Sequence, residues 1–454
     1  MQCWMFVHVP IEHWIERWIS NYKRIFDAWE AGGVRGIVVG RMRFLQKDGT
    51  FVRAFAPDPK VYESFDVSSP PEEPREPEKE RILHEILDNA ASRGWHIMTF
   101  SVPGGGGMRP LKEDPFSEIG FAAAAQDLIN AFPQAHGMII DGAGEQHYEL
   151  AVHHGGELLE IRKGRREHFA HAGFDIDRME RGIAHVRERF HNLTPDLVRY
   201  HAAGGLLAGL TLFDINEDAI YWLRARQEMA MHSMGMLRNA VNRLNRKVKL
   251  GAIPRITTFS SLTGQNYQKM RQIFDYIFPK HYYWHRGFDG MYGTIQRWIQ
   301  KFRKWNPSLT EQDCFSLIKS LFGLELPGVH SLMDLEMGFP DEFFSKVVYS
   351  ETRRALDAIQ DDDKVICWVS TGRKPHNGNA MTARDLHGIL QASQDAGLKR
   401  FLFHPDPDLG APEWHVISNI CGKPWQEDPQ GYWPSDTWRE DIEGYGVARL
   451  KTKT

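Results

Sequence analysis

The sequence has 454 residues, of which 42% are hydrophobic and 25% are charged. This proportion of apolar residues supports a large buried core, so disordered and fibrous classes are excluded. The formal net charge of -4 does not indicate a polyanionic partner, and we therefore expect no nucleic-acid binding.

The one dense basic run, RKGRR at Arg162–Arg166, is short and is followed by Glu167. We interpret it as a solvated loop or the start of a helix, because short charged runs usually lie on exposed faces. A contact to an anionic group of a substrate is the alternative interpretation.

The four cysteines, Cys3, Cys314, Cys367 and Cys421, are scattered and lack zinc-ligand spacing, so we expect free thiols. No uninterrupted apolar run approaches the roughly 20 residues that span a bilayer, so we expect no membrane partner. The first ten residues, MQCWMFVHVP, lack the pattern of a signal peptide. We therefore expect a soluble, cytoplasmic protein, unless a leader lies outside this chain.

Strand-like and helix-like segments alternate along the chain. From Ile11 to Trp29, for example, apolar residues recur at intervals of three and four, which is typical of one helix face. Runs rich in β-branched and aromatic residues indicate eight strands, most of them followed by such a helix. The predicted strands are Gln2–Val9, Arg35–Phe44, His96–Pro103, Gly137–Asp141, Lys249–Ile256, Tyr276–Trp284, Val365–Thr371 and Arg400–His404.

Eight βα repeats with apolar strands predict an α/β fold, a single (β/α)8 or TIM barrel. An open doubly wound sheet is the competing fold, but the glycines at Gly104–Gly107 do not form a clean GxGxxG motif before a helix. We predict one domain over residues 1–454. Long helical insertions are expected after strand four, at about 151–246, and after strand six, at about 285–363. A C-terminal extension is expected at about 424–454.

Polar and aromatic residues follow several predicted strands, where a barrel places its active site. Carboxylates suit cleavage of a glycosidic bond, which needs one protonated carboxyl and one ionised carboxylate. Aromatic rings pack against sugar faces, although Tyr282 and Trp284 could instead alternate into the barrel wall. The candidate residues are Asp141, Glu145, His147, Lys280, His281, Tyr283, Trp284, Arg373, His404, Asp406 and Asp408.

The strings IIDGAGEQHYEL, FPKHYYWHRGFDG, WVSTGR and FLFHPDPDLG resemble those of glycoside-hydrolase-like (β/α)8 barrels whose substrates are uncharacterised. The resemblance implies a general acid after strand four, which Glu145 matches. The nucleophilic Glu that such barrels carry at strand seven is absent, since this strand ends in WVSTGR. Other barrel glycosidases place a nucleophilic Asp at the tip of strand four, which matches Asp141. We therefore predict Glu145 as the acid, with Asp141 or Asp406 as its partner.

The other candidate residues are predicted to contact a carbohydrate or sugar-like small molecule, without a cofactor. A metal-dependent barrel enzyme is one alternative, because histidines and carboxylates bind divalent metal ions. Two metal-binding motifs, HxH at strand one and HExxH, are both missing from the sequence, and their absence weakens the metal hypothesis. A barrel that binds carbohydrate without cleaving it is the other alternative. The residues relevant to a metal are His147, His153, His154, His281, His404 and Asp406.

Overall fold

The computed structural model describes residues 1–7, 21–40, 42–46, 50–101, 118–151, 156–287, 289–371, 381–405, 409–427, 431–432 and 434. The strands are β1 (Gln2–Val7), β2 (Val34–Val39), β3 (Arg43–Leu45), β4 (Phe51–Arg53), β5 (His96–Ser101), β6 (Gly137–Asp141), β7 (Lys249–Ile253), β8 (Tyr276–Ile277), β9 (Lys280–His281), β10 (Cys367–Ser370) and β11 (Arg400–His404).

The α-helices alternate with these strands. They are α1 (Tyr22–Ala31), α2 (Pro59–Ser64), α3 (Pro77–Ser92), α4 (Glu118–Ala131), α5 (Lys163–His171), α6 (Ile176–His191), α7 (Pro195–His201), α8 (Gly205–Leu212), α9 (Glu217–Asn242), α10 (Ser260–Thr263), α11 (Tyr267–Ile273), α12 (Met291–Trp305), α13 (Glu311–Phe322), α14 (Asp341–Phe343), α15 (Tyr349–Ile359), α16 (Ala383–Asp395) and α17 (Ala411–Cys421). A π-helical segment, Phe344–Val348, joins α14 to α15.

Nine of the strands form one parallel sheet in the order β8-β7-β6-β5-β2-β1-β11-β10-β9. The two end strands, β8 and β9, belong to one stretch of chain and are separated only by Phe278 and Pro279. β8 pairs with β7, β9 pairs with β10, and Ile277 also bridges Val365. The sheet therefore curls until its two ends meet, which is consistent with the predicted TIM-like barrel and with the predicted α/β class.

Aromatic side chains from several strands fill the interior. Trp4 stacks on His96 with ring centroids 4.8 Å apart, and it meets Tyr276 edge-on at 5.6 Å. Gly36 makes room for this cluster, since a Cβ there would lie 2.9 Å from the Trp4 ring. Rings therefore fill the barrel interior near its amino end.

The longest connections in the described chain follow β6 and β9. Helices α5 to α9 lie between β6 and β7, and α12 to α15 lie between β9 and β10. α12 buries Ile295, Trp298, Ile299 and Phe302, whose spacing of three and four gives a continuous apolar face. α9 packs against α6 and α4. The helices of both connections thus join the apolar core that surrounds the barrel.

Two further sequence expectations have direct structural outcomes. All four cysteines are free thiols, as predicted, and the structure buries Cys3, Cys314 and Cys367. Within the described ranges, no helix has both the length and the apolar character that crossing a membrane requires.

Candidate active site

Opposite charges meet inside the carboxyl end of the barrel. The Asp141 carboxylate ends β6, and its Oδ1 lies 2.9 Å from Nζ of Lys280 on β9. The Lys280 side chain is only 6% exposed, and its ammonium lies 5.7 Å from the ring centroid of Trp368. A carboxylate and the face of an aromatic ring together stabilise a buried ammonium. Because the Asp141 side chain is 23% exposed, a ligand in the mouth can reach it.

An aromatic wall surrounds this ion pair. Trp368 lies 5.4 Å from the ring of His404 and 5.4 Å from that of Phe6. The hydroxyl of Tyr282 lies 3.3 Å from Nδ1 of His404, and its ring stacks on Trp284 at 4.3 Å. Three predicted site residues, Asp141, Lys280 and His404, are therefore brought together in one interior cluster.

Trp284 belongs to the barrel wall. Its side chain is fully buried, and its Nε1 donates a hydrogen bond to the carbonyl of Ser370 at 3.2 Å. The backbone at Gly287 packs against it, since a Cβ there would lie 2.5 Å from the Trp284 ring. Tyr282 and Trp284 thus pack into the barrel wall, which is the alternative that the sequence left open for them. Trp284 supports the site from within this wall.

His281 and Tyr283 lie on the opposite face of the same segment from Lys280. Side chains alternate along a strand, so these two point outward into the layer of helices. Their rings lie 5.6 Å apart, and Tyr283 meets Phe343 edge-on at 5.3 Å. Burial lowers the pKa of His281 to about 3, so its imidazole is neutral. The structure does not bring His281 and Tyr283 to the interior cluster, which corrects their predicted placement.

A second charged group lies on the loop that follows β6. The Glu145 carboxylate accepts hydrogen bonds from Nε and Nη2 of Arg255 at 3.0–3.1 Å. The other guanidinium nitrogen of Arg255, Nη1, pairs with Asp289. Burial alone would lower the pKa of Arg255, but the charges of Asp289 and Glu145 outweigh it and raise that pKa well above its usual value. Both carboxylates therefore act as hydrogen-bond acceptors for one buried cation.

His147 faces the helices that follow β6. The chain at Gly156 passes so close that a Cβ there would lie 2.5 Å from the His147 ring and 2.6 Å from Arg162. The carbonyl of His147 accepts a hydrogen bond from Arg226. His147 thus belongs to an arginine cluster rather than to the interior ion pair. The predicted site residues Arg373, Asp406 and Asp408 lie outside the described residues.

Sequence reasoning missed Arg255, Asp289 and Trp368. Arg255 stands two residues after β7, inside the predicted strand Lys249–Ile256, and its polar side chain near the carboxyl end of that strand is the signal that could have found it. Trp368 lies on β10, where the apolar string VICWVST does not distinguish inward from outward positions. Asp289 carries no comparable signal.

Within the part of the chain that the structure describes, no group of three His, Cys, Asp or Glu side chains is arranged to hold a metal ion. His153, His154 and Asp406, which the metal hypothesis includes, are not among these residues. The interior cluster supplies one carboxylate, one imidazole and one ammonium, and the ammonium would repel a cation.

Comparison with known proteins finds no matching family and no matching curated protein. Among solved structures, the chain is similar to the PgaB (BpsB) glycoside hydrolase domain of Bordetella bronchiseptica, with 11% identity over 93% of this chain and 99% of that one, at a TM-score of 0.43. It is similar to the spore cortex-lytic enzyme SleL of Bacillus cereus, with 9% identity over 92% and 73% of the two chains, at a TM-score of 0.39. A third is GH5_18 of Streptomyces cattleya in complex with GlcNAc, with 10% identity over 89% and 70%, at a TM-score of 0.39.

The Arg255 group generates a stability prediction. Arg255→Gln leaves Glu145 and Asp289 facing each other without their shared cation, and we expect the free energy of unfolding to fall by about 3–5 kcal/mol. The matched control is Arg243→Gln, which breaks a half-exposed pair with Glu118 and should cost about 0–1 kcal/mol. Urea denaturation at pH 7 measures both. Equal losses in the two variants would contradict the central role of Arg255.

His281 generates a pH prediction. Its pKa is about 3 in the fold against about 6.5 in the unfolded chain, so between these values only the unfolded chain takes up the proton. Stability should therefore fall as the pH drops below 6.5, by up to about 1.4 kcal/mol per pH unit from this group. His281→Phe should remove that slope, and Tyr283→Phe, on the same face, should keep it. Urea denaturation between pH 7.5 and 4.5 checks this, and an unchanged slope in His281→Phe would exclude the assignment.

Proposed function

We propose that the chain is a glycoside hydrolase in which Asp141 supplies the ionised carboxylate at the reaction centre. The observation that carries this proposal is the interior pair of Asp141 and Lys280, which lies at the carboxyl end of a parallel barrel beside Trp368. That end is where barrel enzymes place their chemistry. Carbohydrate is accordingly the proposed ligand.

An ionised carboxylate suits glycosidic cleavage because positive charge develops on the sugar ring in the transition state. Lys280 is the ion-pair partner of Asp141 and holds its carboxylate at the end of β6. In the reaction, Asp141 either attacks the anomeric carbon or takes a proton from the attacking water, while the leaving oxygen receives a proton from a second carboxyl group. The rings of the aromatic wall exclude water from the inner side of this pair, which strengthens its electrostatic effect.

Glu145 takes a different role in this proposal from the one that the sequence suggested. Its carboxylate accepts three hydrogen bonds from the Arg255 guanidinium, so its oxygens are directed at that cation rather than at a leaving group. We assign Glu145 to positioning Arg255 and the loop after β6. The sequence then leaves Asp406 as the candidate proton donor.

A barrel that binds carbohydrate without cleaving it is the second candidate. It is favoured by the engagement of both Asp141 and Glu145 with basic partners. No described carboxylate of this site is then left unpaired to act as an acid. Binding of an oligosaccharide that is recovered unchanged after long incubation would favour this candidate over hydrolysis.

The test is product release from a panel of oligosaccharides and aryl glycosides. We expect Asp141→Asn to lower kcat by about 10²- to 10⁴-fold, because the variant lacks the negative charge that stabilises the transition state. The matched control is Asp275→Asn, which changes an aspartate paired with Arg238 and Lys249 next to the amino end of β8. This control should keep its turnover.

Glu145→Gln separates the two roles of Glu145. As a positioning residue, it should lower thermal stability and leave a substantial part of kcat. A variant that is fully folded but without turnover would instead make Glu145 the acid. Normal turnover by Asp141→Asn would remove Asp141 from the reaction centre.

A further inference from the structure

A small cavity lies beside the loop that follows β6, between that loop and helices α5 and α9. Its volume is about 20 Å³. It therefore admits a small group but not a sugar ring. His147, Arg162, Arg165 and Arg226 line it, and the basic run RKGRR thus begins α5 and contributes to a cavity.

Arg226 is the most deeply buried arginine that lines this cavity. It is 5% exposed, and its guanidinium donates hydrogen bonds to the carbonyls of Leu262, at 2.7 Å, and of His147. Within the described ranges its Nε is buried without a hydrogen-bond partner, and no carboxylate lies within ion-pair distance of its guanidinium. A buried cation whose only acceptors are carbonyl oxygens lacks a counter-charge.

The neighbouring arginines increase this excess of positive charge. Burial, and then the charge of Arg165, lower the pKa of Arg226 to about 9. Burial and the charge of Arg162 likewise lower the pKa of Arg165, although the charge of Glu145 opposes them. Among the described lining residues the only carboxylate is Glu160, which is exposed, and Arg226 has no carboxylate within ion-pair distance. Binding of an anion would relieve this repulsion.

We infer that Arg162, Arg165, Arg226 and His147 form a subsite for one small oxyanion: a carboxylate, a sulfate or a phosphate. The planar guanidinium group presents paired donors that match such anions. His147 of the subsite lies on the loop that follows Asp141 and also carries Glu145. We assign the oxyanion to a substituent of the saccharide, and this part of the inference rests on the proposed function.

Arg165 is the position at which to test the subsite. Its side chain is half-buried and makes no hydrogen bond within the described residues, so Arg165→Gln should fold normally. Arg226 also holds two backbone carbonyls, so its replacement would disturb the fold. The matched control is Arg166→Gln, which removes the same charge from the next residue of α5, where Arg166 pairs with Glu180.

The experiment is calorimetric titration of the whole chain at constant ionic strength. The probes are inorganic sulfate, inorganic phosphate, glucose 6-sulfate, glucose 6-phosphate and glucuronate, with glucose as the neutral reference. We expect at least one anionic probe to bind at least tenfold more weakly to Arg165→Gln than to the wild type and to Arg166→Gln.

The anionic sugars and the inorganic ions distinguish the two sources of the anion. Tighter binding of an anionic sugar than of both glucose and the inorganic ions supports a saccharide substituent. Binding of the inorganic ions, with no gain for the sugars, supports the oxyanion subsite and overturns its link to the saccharide. If no probe distinguishes Arg165→Gln from the wild type, the inference is overturned. Because none of these titrations needs turnover, their failure is distinct from a failure of the hydrolase proposal.

Discussion

The ion pair between Asp141 and Lys280 is the interaction on which the site depends. It joins β6 to β9 across the barrel mouth, and it requires both side chains to point inward from their strands. Burying two charges costs desolvation energy that their attraction only partly offsets, so such a pair is weak evidence of a stabilising role. A partly exposed carboxylate at the carboxyl end of a parallel barrel lies instead where barrel enzymes place their chemistry. The rings around Trp4 fill the barrel interior below this pair.

A second group of charged residues, centred on Arg255, holds the loops around the ion pair. Arg255 binds Glu145 and Asp289 and thereby ties the segment after β7 to the segments after β6 and β9. Four residues beyond Glu145, the buried Glu149 accepts a hydrogen bond from Arg297 of α12 at 2.5 Å. Burial raises the pKa of Glu149 despite this partner. Buried carboxylates and arginines thus fix the loop from both sides, which is the rigid support that a functional site needs.

The sequence predicted most strands of the parallel sheet, because most are short apolar runs followed by a helix. It joined β2 to part of β3 in one predicted strand, Arg35–Phe44, and did not indicate β4. It also placed Asp141, Lys280 and His404 at strand ends, where position in the repeat is enough. It could not orient the string KHYYWH, because both alternating sets, one beginning at Lys280 and the other at His281, contain polar and aromatic residues. Without an apolar face, nothing in such a run shows which set points inward.

Partners that are distant in sequence could not be predicted. Glu145 and Arg255 are 110 residues apart, and only the fold brings them together. A glutamate at the tip of strand four suits a proton donor until its neighbours are known, and its bidentate arginine changes that reading. The arginine cluster around His147 is similar, because RKGRR gains its meaning only from Arg226 on a separate helix.

The most direct test of the central claim is a crystal structure of Asp141→Asn with an oligosaccharide that the protein binds. A glycosidic oxygen or anomeric carbon of the ligand should lie within about 3.5 Å of the side chain at position 141. Reacting atoms must come this close before a bond can form or break. The ligand should also cover the Lys280 ammonium. An oligosaccharide bound in full occupancy elsewhere, with position 141 and Lys280 untouched, would contradict the account.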